Sequence, residues 1–133
     1  MFRVPAKESP YRAACLVDHA EFVIGAESAN TIAVGIQLQD ANWTAIGECG
    51  AVHAYLSSNS DGSTIVATAP SSGVAIGTDG LAIESIADKK FLFVSESNGH
   101  IDIVLSEAGV ATFYLVLVMP DGHLVISSAI TFA

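Results

Sequence analysis

Basic residues are scarce in this sequence of 133 residues, which has five lysines and arginines against fourteen acids. Three of them, Arg3, Lys7 and Arg12, lie in the first twelve positions beside a single acid, Glu8, so this segment carries a net charge of +2. The other 121 positions hold two lysines and thirteen acids, a net charge of −11. Because nucleic-acid phosphates require a basic surface, we expect no nucleic-acid partner.

Long apolar runs are also missing. No apolar stretch approaches the roughly 18 residues that a transmembrane helix needs, so we expect no membrane partner. Residues 1–15 lack the continuous apolar segment and small-residue cleavage site of a secretion signal. Without export to an oxidising compartment, the two cysteines, Cys15 and Cys49, are expected to be free thiols and not a disulfide.

No set of residues with the spacing of a catalytic or metal site is visible. Cys49 and His53 would lie about 13 Å apart along a strand, too far for a nucleophile and its base. Residues 59–63 resemble a calcium loop only faintly, because a second carboxylate and a distal glutamate are missing; a turn held by Asn59 and Asp61 is the better interpretation. The four histidines are scattered. We expect no enzyme activity, no metal site and no cofactor.

The apolar pattern is that of β-strands. In residues 31–39, Ile32, Val34, Ile36 and Leu38 alternate with small or polar residues. Residues 111–118 and the alternating apolar positions between 124 and 132 flank a turn at 119–123, which predicts a long terminal hairpin. Further strands are predicted at 20–26, 51–56, 81–86, 90–95 and 101–105, with possible edge strands at 64–68 and 74–76. This pattern predicts an all-β antiparallel sandwich of about seven to nine strands.

The first 18 residues are predicted to form an extended arm, separate from a body at 19–133, because Pro5 and Pro10 oppose regular pairing. We expect this arm to bind a partner. Two aromatic residues would act as anchors and three basic residues would pair with acidic groups: Phe2, Tyr11, Arg3, Lys7 and Arg12. Two alternatives stay open: the arm is a frayed end, or a sheet face or the 57–80 loops bind the partner instead.

One strand is apolar on both of its faces. Tyr114, Val116 and Val118 point away from the face that carries Phe113, Leu115 and Leu117. In a single sandwich the outer face of a strand should be wet, so this stripe is predicted to be a subunit interface or the bed of an arm. The alternative is that the 57–80 loop of the same domain covers it.

Several turn and strand motifs together resemble the Ig-like domains of structural proteins from tailed bacteriophages. They are residues 32–42, Tyr55-Leu56-Ser57-Ser58, residues 73–80, Val94-Ser95-Glu96, residues 107–114 and Met119-Pro120-Asp121-Gly122. The resemblance implies an Ig-like sandwich, in which the Tyr114 hydroxyl would bond back to the backbone near Gly109. There is no cysteine pair on central strands, and Trp43 follows a turn, so an antibody-type domain is excluded.

The resemblance further implies a non-enzymatic virion protein, a head decoration or cement protein made in the host cytoplasm and placed on the phage head surface. Its arm would dock on the major capsid protein. The chain would form a homo-oligomer, with a trimer favoured, around the Tyr114, Val116 and Val118 stripe. Two alternatives are a phage tail-fibre or receptor-binding adhesion domain and a bacterial surface Ig-like adhesion module.

Overall fold

The computed structural model describes residues 17–133, and these residues form ten β-strands. No helix in this range is long and apolar enough to cross a membrane. The strands in chain order are β1 (His19–Ile24), β2 (Thr31–Gln39), β3 (Ala51–Ser57), β4 (Val74–Ile76), β5 (Leu81–Ile86), β6 (Lys90–Val94), β7 (His100–Ser106), β8 (Ala111–Val118), β9 (Leu124–Ile126) and β10 (Ile130–Phe132).

The strands form two antiparallel sheets packed face to face. A four-stranded sheet has the order β1-β2-β7-β4, and a six-stranded sheet has the order β10-β8-β3-β6-β5, with β9 also paired to β8. The predicted all-β sandwich is therefore confirmed. The described strand count is one above the expected upper limit.

The core lies between the inner faces of the two sheets and follows from the alternation seen in the sequence. In β2, Ile32, Val34, Ile36 and Leu38 are all buried, as predicted. They are part of one buried cluster with side chains from β3, β6, β7, β8 and β10, namely Val52, Ala54, Leu56, Phe91, Phe93, Ile101, Ile103, Leu105, Phe113, Leu115, Leu117, Ile130 and Phe132. This cluster sets which side of each strand faces outward.

The body of the protein extends beyond the predicted boundary at residue 19. Val17 is buried and belongs to the core cluster, and the backbone N–H of Asp18 donates a hydrogen bond to the carbonyl of Gln39. A Cβ added at Gly50 would lie 2.9 Å from Val17 Cγ2, so the chain passes tightly over this glycine. The sandwich therefore begins at least two residues before the first strand.

The terminal hairpin contains a break that the sequence pattern did not predict. Val116 pairs with Ile126, but Phe113 pairs with Ile130, so the register shifts by one residue between β9 and β10. Leu124 and Ile126 consequently point to the opposite side from Ile130, and the expected single face at 124, 126, 130 and 132 is wrong. Val125 packs against the core instead.

Residues 64–68, considered as a possible edge strand, lie in the β3–β4 loop (residues 58–73) and form no strand. Val66 is buried and its backbone N–H donates to the carbonyl of Leu56. The apolar residue that resembled a strand position is therefore an anchor that fixes the loop to the body.

Candidate functional site

The outer face of the six-stranded sheet carries apolar side chains across the width from β9 to β5. Directly paired residues point to the same side of a sheet, so the register shows which side chains share a row. One row crosses five strands: Leu124, Val118, His53, Leu92 and Ile83. This surface, called the outer face below, extends the Tyr114, Val116 and Val118 stripe over four neighbouring strands.

Further apolar residues continue the outer face along the strands. Ile86 pairs with Lys90 in the next row, and Leu81 pairs with Val94 in the row on the other side. Leu81 and Ile83 are each 55% exposed. Of the eight large hydrophobic residues that are exposed in the described range, five belong to this surface or border it: Ile65, Leu81, Ile83, Ile86 and Leu124. A concentration of this kind is typical of an interaction surface, which makes the outer face the candidate site.

A shallow hollow of 370 Å³ lies on the outer face, next to the β3–β4 loop. It is lined by His53, Tyr55, Ile65, Lys90 and Val118. The aromatic ring, the aliphatic side chains and the hydrocarbon stem of the lysine give it mostly apolar walls. It can receive an apolar side chain from another protein surface.

The β3–β4 loop covers part of the predicted stripe. The hydroxyl of Tyr55 donates a hydrogen bond of 2.5 Å to the carbonyl of Gly62. A Cβ at Gly62 would lie 3.2 Å from both Val116 Cγ2 and Ile126 Cδ1, so this glycine rests directly on the sheet. Val116 is 0% exposed, and it cannot contribute surface to a subunit interface. For this residue the structure agrees with the alternative that the domain's own loop covers the stripe.

The other two stripe residues remain accessible. Tyr114 and Val118 are half-buried, and Val118 lines the hollow. The prediction that they belong to a subunit interface stays a prediction. The expected bond from the Tyr114 hydroxyl to backbone is not among the hydrogen bonds of the described residues; Tyr55 makes the comparable contact instead.

The β3–β4 loop is held in place by its own polar side chains. The amide of Asn59 donates to the hydroxyls of Ser63 and Thr64, and the backbone N–H of Ser63 donates to Asp61 Oδ1 at 3.0 Å. The hydroxyl and backbone N–H of Ser63 lower the pKa of the Asp61 carboxyl below its ordinary value. The predicted turn held by Asn59 and Asp61 is confirmed.

The two outer faces of the sandwich differ in charge. Strands β3, β6, β8 and β9 contain no acid, and the one acid of β5, Glu84, pairs with the core residue Phe91. On the opposite sheet, Glu21 and Asp102 flank β2 through pairs with Gln37 and Gly35. The strands that carry the outer face thus contribute one acid, Glu84, and the acids Asp61 and Asp88 lie in the loops that border it.

A second group of polar residues lies at the end of the sandwich where β1 begins. His19 stacks on Trp43, with ring centroids 3.5 Å apart and an angle of 5° between the rings. His19 Nε2 lies 3.1 Å from Asp18 Oδ2, and His123 Nδ1 lies 2.5 Å from Asp121 Oδ1. The backbone N–H of His123, with its ring, lowers the pKa of Asp121 below its ordinary value. These five residues are called the end cluster.

The remaining predicted residues are placed as follows. Phe2, Arg3, Lys7, Tyr11 and Arg12 lie outside the described residues, so the docking role of the arm stays a prediction, as does the state of Cys15. Cys49 is exposed and unbridged.

Comparisons of the chain with models of known protein families and with curated proteins find no match.

The prediction from the sequence covered only one strand of the outer face, whereas the observed surface spans five. The strand at 90–94 reads Lys-Phe-Leu-Phe-Val, and it is apolar on both sides like the 111–118 strand. This pattern, together with the alternation of Leu81 and Ile83, could have predicted that the apolar surface continues onto β6 and β5. No local pattern in the sequence could have predicted that Asp18 lies close to Asp121 and His123, because more than 100 positions separate them.

Proposed function

We propose that this protein is a non-enzymatic structural subunit that binds and stabilises a larger protein assembly, and that the assembly is the head of a tailed bacteriophage. The observation that carries the first part is the outer face, an exposed apolar surface spread over five strands. The resemblance of the turn and strand motifs to Ig-like phage proteins carries the second part. In this role the chain is a head decoration or cement protein.

We propose that a second copy of the chain occupies the outer face. The described body carries a net charge of −11, which opposes self-association through most of its surface. The outer face is the exception, because four of its five strands contain no acid and its ionisable groups include Lys90 and His53. Two such faces can meet through strands that contribute one acid each, Glu84. The resemblance to decoration proteins favours a trimer.

The N-terminal segment is proposed to bind the major capsid protein. It is the part of the chain with a net positive charge, and Phe2 and Tyr11 supply apolar anchors. One such segment would bind weakly, since ordering it costs conformational entropy. An oligomer carries several segments close together, and their combined binding would be tighter than that of one. A subunit that binds only the assembled shell stabilises it by mass action.

The direct test is binding to empty capsids assembled from the major capsid protein encoded in the same genome. Purified full-length protein is mixed with these capsids and sedimented, and the melting temperature of the shell is measured with and without it. We expect saturable co-sedimentation and a higher melting temperature of the shell. Deletion of residues 2–12 should abolish co-sedimentation while changing the melting temperature of the free protein little.

Three results would contradict parts of this proposal. Failure of the full-length protein to bind any form of the capsid would remove the head-decoration function and leave the tail-fibre and adhesion alternatives. Full binding by the deletion variant would move the docking site from the N-terminal segment to the body. Binding without any rise in the melting temperature of the shell would remove the stabilising role.

A further inference from the structure

We propose that Asp18, Asp121 and His123 form a binding site for a divalent transition-metal ion, with Zn²⁺ as the expected occupant. Each residue offers one ligand atom, and the three ligand atoms lie within 4.8 Å of one another. Carboxylate oxygen and imidazole nitrogen are ligands that Zn²⁺ takes in proteins. No metal site was expected from the sequence, because Asp18 is far from Asp121 and His123 along the chain and only the fold brings them together.

Around a tetrahedral Zn²⁺ with bonds of about 2.0–2.2 Å, neighbouring ligand atoms are about 3.3–3.6 Å apart. The three ligand atoms, which lie within 4.8 Å of one another, need a rearrangement in which the contact between His123 Nδ1 and Asp121 Oδ1 opens. The Asp121 side chain is 60% exposed and that of His123 is 39% exposed, so both can rotate without disturbing the core. The exposed side leaves room for water as a further ligand. Two carboxylates and a neutral imidazole supply a charge of −2 to the dication.

Neighbouring residues hold the first carboxylate in place. His19 Nε2 lies 3.1 Å from Asp18 Oδ2, and the ring of His19 stacks on Trp43. Carboxylate ligands of metals are commonly oriented by neighbouring polar groups of this kind. The backbone N–H of Asp18 also donates to the carbonyl of Gln39, which fixes Asp18 beside the last residue of β2. Two contacts of Asp18, one with a histidine ring that is itself stacked on Trp43, thus hold this carboxylate beside the β8–β9 turn.

The position of the site gives it a structural consequence. Asp18 adjoins β1 in the four-stranded sheet, and Asp121 and His123 lie in the turn between β8 and β9 of the six-stranded sheet. An ion bound by all three would link the two sheets at one end of the sandwich. Because the unfolded chain separates these ligands, ion binding should raise the melting temperature.

Trp43, the single tryptophan of the chain, provides an optical test. The full-length protein without a purification tag is titrated with Zn²⁺ by calorimetry, and with Cu²⁺ while indole fluorescence is recorded. We expect saturable binding of one ion per chain, quenching of Trp43 by paramagnetic Cu²⁺, and competition between the two ions. His123→Gln and Asp121→Asn should each weaken Zn²⁺ binding by about tenfold or more.

The matched control is His100→Gln. His100 also pairs with an aspartate, with Nδ1 lying 2.8 Å from Asp79 Oδ2, but it belongs to no three-ligand group in the described part of the chain. This variant should bind Zn²⁺ like the wild type. Circular dichroism without metal establishes that every variant is folded. The proposal is overturned if the wild type shows no saturable binding, or if His100→Gln weakens binding as much as His123→Gln does. This proposal and its test are independent of the docking proposal.

Discussion

Single residues decide how the outer face is divided between covered and open surface. Gly62 has a φ of +70° and lies against Val116 and Ile126, while the Tyr55 hydroxyl holds its carbonyl. The Asp61-Gly62 pair identifies a turn in the sequence. The sequence could not show that this turn lies on the sheet, because that contact depends on where the whole loop is anchored.

Gly62→Ala should lower the free energy of unfolding by about 2 kcal/mol, since the new methyl group adds crowding to an unfavourable positive φ. Gly122→Ala, at a φ of +96° with open space around it, should cost about 1 kcal/mol from the backbone alone. Gly47→Ala, with open space and no positive φ, should change stability little or increase it slightly. Urea unfolding of the three variants measures these values, and equal losses at Gly62 and Gly122 would contradict the close contact.

Asp102 should make stability depend on pH in the acid range. Its pKa is lowered below 3.8, chiefly because the backbone N–H of Asp79 donates to the carboxylate at 2.7 Å, with further hydrogen bonds from Thr78. A lowered pKa in the folded state stabilises the fold above 3.8, and that contribution is lost as the pH falls through the folded-state value.

Asp102→Asn should therefore cost about 1 kcal/mol or less at pH 7, after screening by solvent. The difference from the wild type should shrink as the pH falls below 3.8. Chemical denaturation over a pH series measures it. A difference that stays constant down to the lowest pH would show that the charge of Asp102 makes no contribution.

At the scale of elements, the strands follow from local patterns, whereas their breaks follow from tertiary contacts. The predicted strand at 31–39 has the observed bounds because its alternation is strict. The last strand of the terminal hairpin is split into β9 and β10 at Ser127. Here the serine hydroxyl takes the place of a backbone carbonyl as the acceptor for the neighbouring strand β8. Ser127 Oγ accepts from the backbone N–H of Leu115 at 3.0 Å and donates to the carbonyl of Ser128. No local sequence pattern encodes this exchange.

Ser127→Ala should destabilise the protein by about 1–3 kcal/mol, because the buried N–H of Leu115 would lose its acceptor. Ser128→Ala is the control, since Ser128 is exposed and contributes its carbonyl and not its hydroxyl to this contact. Thermal or urea unfolding of both variants gives the comparison. Equal stability of the two variants would show that water satisfies the Leu115 N–H in the absence of the serine hydroxyl.

At the scale of the whole molecule, the sequence predicted the sandwich and one strip of its outer face. Tyr114, Val116 and Val118 could be found because a single strand carries the pattern. The row from Leu124 to Ile83 could not, because it depends on the pairing of five strands. The end cluster depends likewise on the meeting of the two sheets. Local periodicity in the sequence cannot predict a surface that is assembled from several strands.

Binding of a second copy of the chain to the outer face can be measured by sedimentation velocity over a concentration series. The wild type should sediment as an oligomer. Ile83→Asp should sediment as a folded monomer, because it places a carboxylate on the apolar surface at an exposed position of the edge strand β5. Val23→Asp, at a residue 69% exposed on the opposite sheet, should remain oligomeric. A monomeric wild type at high concentration, or an oligomer unaffected by Ile83→Asp, would contradict the proposed binding.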